Sequence, residues 1–408
     1  MVLVSRPLGR FCVLTALLSP AAAHAQSIER TAPALEEVED FQPTGIRVGQ
    51  ILIQPSAELG LVYDNNIFAA PNNEQSDFRA VFVPRLVATH QGNTVQIRGT
   101  AQAEINRYFD LTTEDNTAAL TRLDTVFRVS EADQIRTDAY WQRVVEDRGD
   151  PEAQNILGTG RRLLDAYNGE IEYSHSGNKV GFSLLAGFTK FDYRAAADAE
   201  RDHDTVRLAG RISYRVGART SIYIRPFYSA RDFRLAIDNS GINRDSNTYG
   251  ARAGVEIDPG GLVRGRIAVG AFRFNPDDPA LQSRTGLSVQ GSILYEPSQR
   301  TVLSAEVFRG DVATFRAGAS AREDTRITVG LQQEIRHNLR WQSAVFYRRT
   351  NFVNGGDEDT VGAFGELEYR LNRSVAIAAT ARYSHRSSSR PIDEFDRFRG
   401  GIELRVRY

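Results

Sequence analysis

From about residue 50 to the end of the chain, apolar and polar side chains alternate with a period of two. Val95, Ile97, Gly99, Ala101, Ala103 and Ile105 alternate with Gln96, Arg98, Thr100, Gln102, Glu104 and Asn106. Val206, Leu208, Gly210, Ile212 and Tyr214 alternate with Arg207, Ala209, Arg211, Ser213 and Arg215. Ile327, Val329, Leu331 and Ile335 repeat the pattern, as do Ile402, Leu404, Val406 and Tyr408. A period of two places one set on each face of a β-strand. No stretch of similar length has the 3.6-residue period of a helix.

The breaks between these runs are of two kinds, and they take turns. Short ones at 91–93, 131–133, 177–178, 217–219, 258–261, 296–299, 337–338 and 372–373 read as hairpin turns. Longer polar ones lie at about 65–77, 111–116, 149–162, 195–204, 235–246, 276–282, 317–321, 353–359 and 388–394. Eight turns and nine loops separate about 18 strands, with 16 as the alternative count. Short turns on one rim and longer loops on the other describe a closed antiparallel transmembrane β-barrel of the outer membrane, with short periplasmic turns and longer extracellular loops. The closure has a physical cause: lipid offers the backbone no hydrogen-bond partner, so a spanning sheet must pair its own edges. A propeller would repeat a blade motif every 40–50 residues or so, and none is present. A soluble sandwich would have to bury many charges in a dry core.

The first 25 residues differ. Arg6 and Arg10 precede an apolar stretch from Phe11 to Ala23, and Ala23-His24-Ala25 is a small-residue cleavage site. That is the layout of a secretory signal peptide. Cys12, the sole cysteine, lies inside it, so the mature chain is expected to hold no disulfide. Residues 26–49 are acidic and irregular, with Glu29, Glu36, Glu37, Glu39 and Asp40, and read as a periplasmic tail. The barrel then occupies 50–408.

Composition narrows the function. The chain has 408 residues, 25% of them charged, and a formal net charge of −1. No excess of Lys and Arg is available for nucleic acid. No apolar run of about 18 residues follows the first 25, so no helix is expected to span a membrane. Aromatics near strand ends suit interfacial girdles: Tyr63, Phe68, Tyr108, Phe109, Trp141, Tyr173, Tyr193, Tyr214, Tyr295, Trp341 and Tyr369.

The charged set opposite the apolar one is expected to point inward, and 16–18 strands leave a water-filled interior. Its members are Arg98 and Glu104, then Glu170 and Glu172, then Arg207, Arg211 and Arg215. Arg252, Glu256, Arg266, Arg326 and Glu334 follow. Glu366, Glu368, Arg370, Arg382, Glu403, Arg405 and Arg407 complete it. Such residues either select solutes or pair across strands to stiffen the wall. Arg207, Arg211 and Arg215, with only alanine and serine between them, are the best candidate for an uncompensated basic stripe. No nucleophile motif accompanies His90, His175, His203, His337 or His385, and Ser384 points away from His385. Asp202-His203-Asp204 and Gly356-Asp357-Glu358-Asp359 read as solvated acidic loop tips without the spacing of a calcium loop. No catalytic residue, metal or cofactor is expected.

Pro55-Ser56-Ala57-Glu58-Leu59-Gly60-Leu61-Val62-Tyr63 runs into Asp64-Asn65-Asn66-Ile67-Phe68. This opening resembles the beta-barrel porin 2 family of outer-membrane barrels, as do the hairpin residues Thr248–Val255 leading into Gly265–Gly270. The resemblance covers about 50–408. It implies a Gram-negative outer-membrane protein, some relatives standing beside exopolysaccharide export systems, and it carries over no catalytic residue. Ile402, Leu404, Val406 and Tyr408 look like the carboxy-terminal signal read by the barrel-assembly machinery, although Glu403 stands where glycine is usual. The expected function is a passive aqueous conduit, with export of a capsular polysaccharide or exopolysaccharide as its specific form. A non-conducting barrel that anchors or assembles surface structures is the alternative, and an outer-membrane hydrolase the remote one. Expected partners are outer-membrane lipid, the assembly machinery and periplasmic polysaccharide-export components, with no nucleic acid.

Overall fold

The computed structural model describes residue 35 and residues 41–153, 160–257, 260–316 and 318–408. The expected signal peptide and most of the acidic tail lie outside the described residues.

A short strand, β1 (Ile46–Val48), folds back on β2 (Ile51–Asp64). There follow β3 (Asp77–Gln91), β4 (Val95–Tyr108), β5 (Asn116–Arg128), β6 (Asp133–Val145), β7 (Leu163–Ser176), β8 (Val180–Tyr193) and β9 (His203–Arg215). Next come β10 (Thr220–Phe233), β11 (Ser246–Ile257), β12 (Val263–Pro276), β13 (Arg284–Ser298) and β14 (Thr301–Val312). The last five are β15 (Ala321–Arg336), β16 (Leu339–Val353), β17 (Gly356–Arg370), β18 (Val375–Ser388) and β19 (Phe395–Arg407). Each pairs antiparallel with the next. β19 returns to β2, from Arg399 opposite Asp64 to Arg407 opposite Ser56. Among the described residues, β2 to β19 thus form a closed barrel of eighteen strands, and no sheet edge faces lipid.

The alternation decides which face is which. Ile212, Ile402 and Leu184 are 66%, 65% and 60% exposed. Large apolar side chains this bare, repeated on strand after strand, form the lipid-facing band of a membrane barrel. The opposite, inward face buries Arg, Asp and Glu instead. Both strand termini of the barrel, at Ile51 and Arg407, lie on the short-turn rim.

Two breaks differ from the sequence reading. Residues 353–359 form no long loop: β16 and β17 run on to a tight turn at Asn354-Gly355. Asn354 takes a left-handed φ of 66° and Gly356 a φ of 91°. Asparagine and glycine tolerate such angles, so polar loop-like residues extend the strands instead. At 296–299, β13 continues to Ser298, with an irregular register between Tyr295 and Ser298. The pleat is broken there rather than the strand ended.

Candidate functional site

The long-loop mouth of the barrel holds the densest chemistry. Of the loop joining β6 to β7, Glu146 to Glu152 are buried. A charge-rich Glu-Asp-Arg-Gly-Asp-Pro-Glu sequence stays buried only if its charges are paired. They are. Asp147 accepts from Arg397 at 2.8 Å and from Arg399 at 3.1 Å, both on β19. Arg386 of β18 donates to the Gly149 carbonyl. Glu152 accepts from Thr314 at 2.8 Å and stands 3.3 Å from Arg322 of β15. Arg148 and Arg161 clamp Glu114 of the neighbouring loop, at 2.6 and 2.9 Å. β15 lies nine strands from β6, half-way round the eighteen. The segment therefore crosses the mouth and is fixed to the far wall.

The far wall is built to receive it. Arg397 lies between two carboxylates: its Nη2 donates to Asp64 at 2.6 Å and its Nη1 to Asp147. Asp324 accepts from Arg322, Arg326 and Arg348, at 2.8, 2.9 and 2.8 Å. Glu152 supplies the second carboxylate that this cluster of three cations needs.

The Asp64-Asn65-Asn66-Ile67-Phe68 stretch gains a physical role here. Asp64 holds Arg397. Asn65 Oδ1 accepts from the Phe398 N–H at 2.6 Å, across the seam where first and last strands meet. Asn66 Nδ2 donates to the Asp396 carbonyl at 2.9 Å. Ile67 is fully buried, and Phe68 lies 5.6 Å beneath the Arg148 guanidinium. The motif joins the barrel seam to the crossing segment.

Within the segment, two carboxyls are driven in opposite directions. Burial works to raise Asp147, but Arg397, Arg399 and Arg161 outweigh it and hold its carboxyl well below the usual range. Asp150 is pushed up to about 7, first by burial, then by Asp147. Glu146 adds to that rise, while Arg348 and Arg386 offset it. A carboxyl with a raised pKa in the seated segment favours seating when protonated. That contribution is complete below about pH 4, where an ordinary aspartate is also protonated, and is lost as the pH climbs through about 7. Current through the barrel is therefore expected to rise between about pH 5 and pH 8, and Asp150→Asn to flatten the rise. The same pH dependence in the variant would assign it to another group.

The inward-facing residues read from the sequence lie at the short-turn end and around the wall. At the short-turn end, Arg405 bonds Glu366, Glu368 and Glu403 at 2.7, 2.6 and 2.7 Å. Arg407 there donates to the Phe41 carbonyl at 3.4 Å. Around the wall, Arg98 stands opposite Asp124. Glu104 accepts from Asn106 at 3.0 Å. Arg326 bonds Asp324, and Glu334 lies 3.7 Å from Arg300. Among the described residues, Arg252 bonds only neutral groups. Ile402, Leu404, Val406 and Tyr408 lie exposed on the outward face.

Several expectations need correction. Arg207 and Arg211 break the expected uncompensated stripe, while Arg215 lies exposed near the short-turn rim with no ion pair among the described residues. Arg211 pairs with Glu256, and Arg207 bonds Asn168 at 3.0 Å and stands 3.8 Å from Glu170. The pairing runs between strands, out of sight of any one strand's sequence. Phe68, Tyr108 and Tyr193 form no girdle; they are buried in the mouth, where the Arg161 guanidinium donates to Tyr108 Oη at 2.8 Å. The two acidic stretches are not solvated loop tips. Asp202 is buried and accepts from the Tyr193 N–H. His203 opens β9, stacked between Phe191 and Phe233 at 4.5 and 5.0 Å. Glu358 lies inside β17, paired with Arg316 and Arg386. His385 bonds Asp396 on the outward face, while Ser384 is buried on the inward one.

Eighteen strands, an apolar exterior and a charged interior with its mouth crossed by a loop define an outer-membrane barrel of the porin type. The chain belongs to the family described as Putative beta-barrel porin 2, whose profile matches residues 39–408, and it resides in the outer membrane. No curated protein matches it. Among solved structures, the outer membrane protein OpdK of Pseudomonas aeruginosa is similar at 12% identity and a TM-score of 0.46, over 87% of this chain and 99% of that one. OpdL of the same organism is similar at 11% identity and a TM-score of 0.44, over 88% and 99%. The FrpB iron transporter of Neisseria meningitidis is similar at 9% identity and a TM-score of 0.45, over 82% of this chain. The chain spans 61% of that transporter's length.

Proposed function

We propose that the protein is a passive aqueous conduit, constricted at its long-loop mouth by residues 146–152. The observation that carries this reading is the anchoring of a buried, charged segment to the opposite wall through Asp147, Gly149 and Glu152. A wall of charged side chains keeps the interior hydrated, and the segment narrows it. The inward residues named above are then pore-lining, with Arg405 and its carboxylates at the short-turn exit. In proteoliposomes, swelling is expected in isotonic pentose and not in a trisaccharide. No swelling with either sugar would remove the conduit reading.

The same buried segment favours a second reading, a barrel closed at rest that serves assembly or anchoring at the surface. Export of a capsular polysaccharide or exopolysaccharide, suggested by the family resemblance, requires the segment to leave the mouth. A purified acidic polysaccharide that interrupts the current supports this cargo, and indifference to it removes it.

A further inference from the structure

We propose that Arg225, Arg252 and Arg266 form a binding site for the oxyanion, carboxylate or phosphate, of a hydrophilic solute inside the barrel. They lie on the neighbouring strands β10, β11 and β12, in the half of the barrel nearer the short turns, and line a common recess. The site rests on the conduit reading for its purpose but needs no current in order to bind.

Arg225 and Arg252 stand directly opposite one another in the ladder. Like charges in that position are destabilising unless a counter-charge joins them. At many other inward positions the guanidinium has a carboxylate: Arg405 has three, Arg397 has two, and Arg143 has Asp165 at 2.9 Å. Here the pattern fails. Arg252 donates to Ser288 Oγ at 2.6 Å and Gln290 Oε1 at 3.1 Å, both neutral. Arg225 and Arg266 make no ion pair among the described residues. Glu256 stands opposite Arg266 in register, but Arg211 takes it. Glu306 lines the recess, and Glu172 acts on Arg225 from β7 without forming an ion pair.

The site is also held in shape. The Arg252 guanidinium lies 4.2 Å from the centre of the Phe227 ring. That ring lies against Gly250, where a Cβ would meet it at 2.8 Å. Tyr223, beside it, covers Gly254 in the same manner and carries Arg211 at 4.3 Å. Stacking fixes the plane of the Arg252 fork, and the two amide and hydroxyl acceptors fix its rotation. A planar, pre-oriented guanidinium with a second cation opposite is the arrangement that binds an oxyanion by paired hydrogen bonds.

The test is isothermal titration of the full-length folded protein in detergent micelles at low chloride. The probes are glucuronate and glucose 6-phosphate, which separate carboxylate from phosphate, with glucose as the uncharged control. Saturable binding of at least one anion, and none of glucose, is expected. Arg225→Gln and Arg252→Gln should each weaken it about tenfold or more. Arg349→Gln, on the outward face, should leave it unchanged. Folding of each variant is read from its heat-modifiable mobility. Without anion, Arg225→Gln should melt at a higher temperature than the parent, because the like-charge pair is gone; a lower melting temperature would make Arg225 a structural residue and overturn the site. Absence of saturable binding by the parent, or unchanged affinity in both variants, would also overturn it. Because binding is read without current, its failure leaves the conduit standing, and a silent barrel leaves this site testable.

Discussion

Excising residues 147–152 and joining Glu146 to Ala153 through two glycines is expected to raise single-channel conductance several-fold. The wall does not depend on the segment, since each strand is hydrogen-bonded to its two neighbours and β19 closes on β2. Excision removes the segment's carboxylates Asp147, Asp150 and Glu152 and one cation, Arg148. Arg397, Arg399, Arg386 and Arg322 remain on the wall and become hydrated instead of unpaired in a dry site. The mouth becomes both wider and more positive. Reversal potential under a KCl gradient should therefore move toward anion preference along with the rise in conductance. Equal conductance before and after excision would mean that the narrowest point lies elsewhere.

Arg397→Leu is expected to lower stability by about 3–5 kcal/mol, the cost of leaving buried charge without its partner. Two carboxylates lose their cation at once, Asp64 at the seam and Asp147 in the crossing segment. The variant should convert to its unfolded gel mobility at a markedly lower temperature. Arg397→Lys should fall between the two, because a point-like ammonium cannot keep both hydrogen bonds to Asp64 while reaching Asp147. A leucine variant as heat-resistant as the parent would show that Arg397 does not secure the seam.

Much of the barrel was legible in the sequence, because a membrane wall writes itself as a period of two. Val206 to Tyr214 and Ile402 to Tyr408 fall on the lipid-facing side as their alternation requires, and eighteen strands stand where turns and loops take turns. What the alternation cannot carry is pairing between strands. Arg211 meets Glu256 across two strand boundaries, and nothing in either strand announces it. The crossing segment was hidden for a related reason. Residues 146–152 are as polar as any solvated loop, and their burial is decided by cations at Arg322, Arg386 and Arg397, up to 250 positions away. The available signal was charge density: alternating Arg and Asp at strand ends, as in Arg322-Glu323-Asp324 and Asp396-Arg397-Phe398-Arg399, face a loop of the same composition. The Asp64-Asn65-Asn66-Ile67-Phe68 stretch stood out as a resemblance, but its work at the seam needed the register of β2 on β19.

Single-channel recording of the intact folded protein in a planar bilayer tests the central claim most directly. A water-filled barrel with its mouth crossed by a tethered segment predicts discrete steps, smaller than those of the variant lacking 147–152 and growing as the pH rises past about 7. Silence from both proteins, each shown to be folded, would contradict the account and leave a closed barrel.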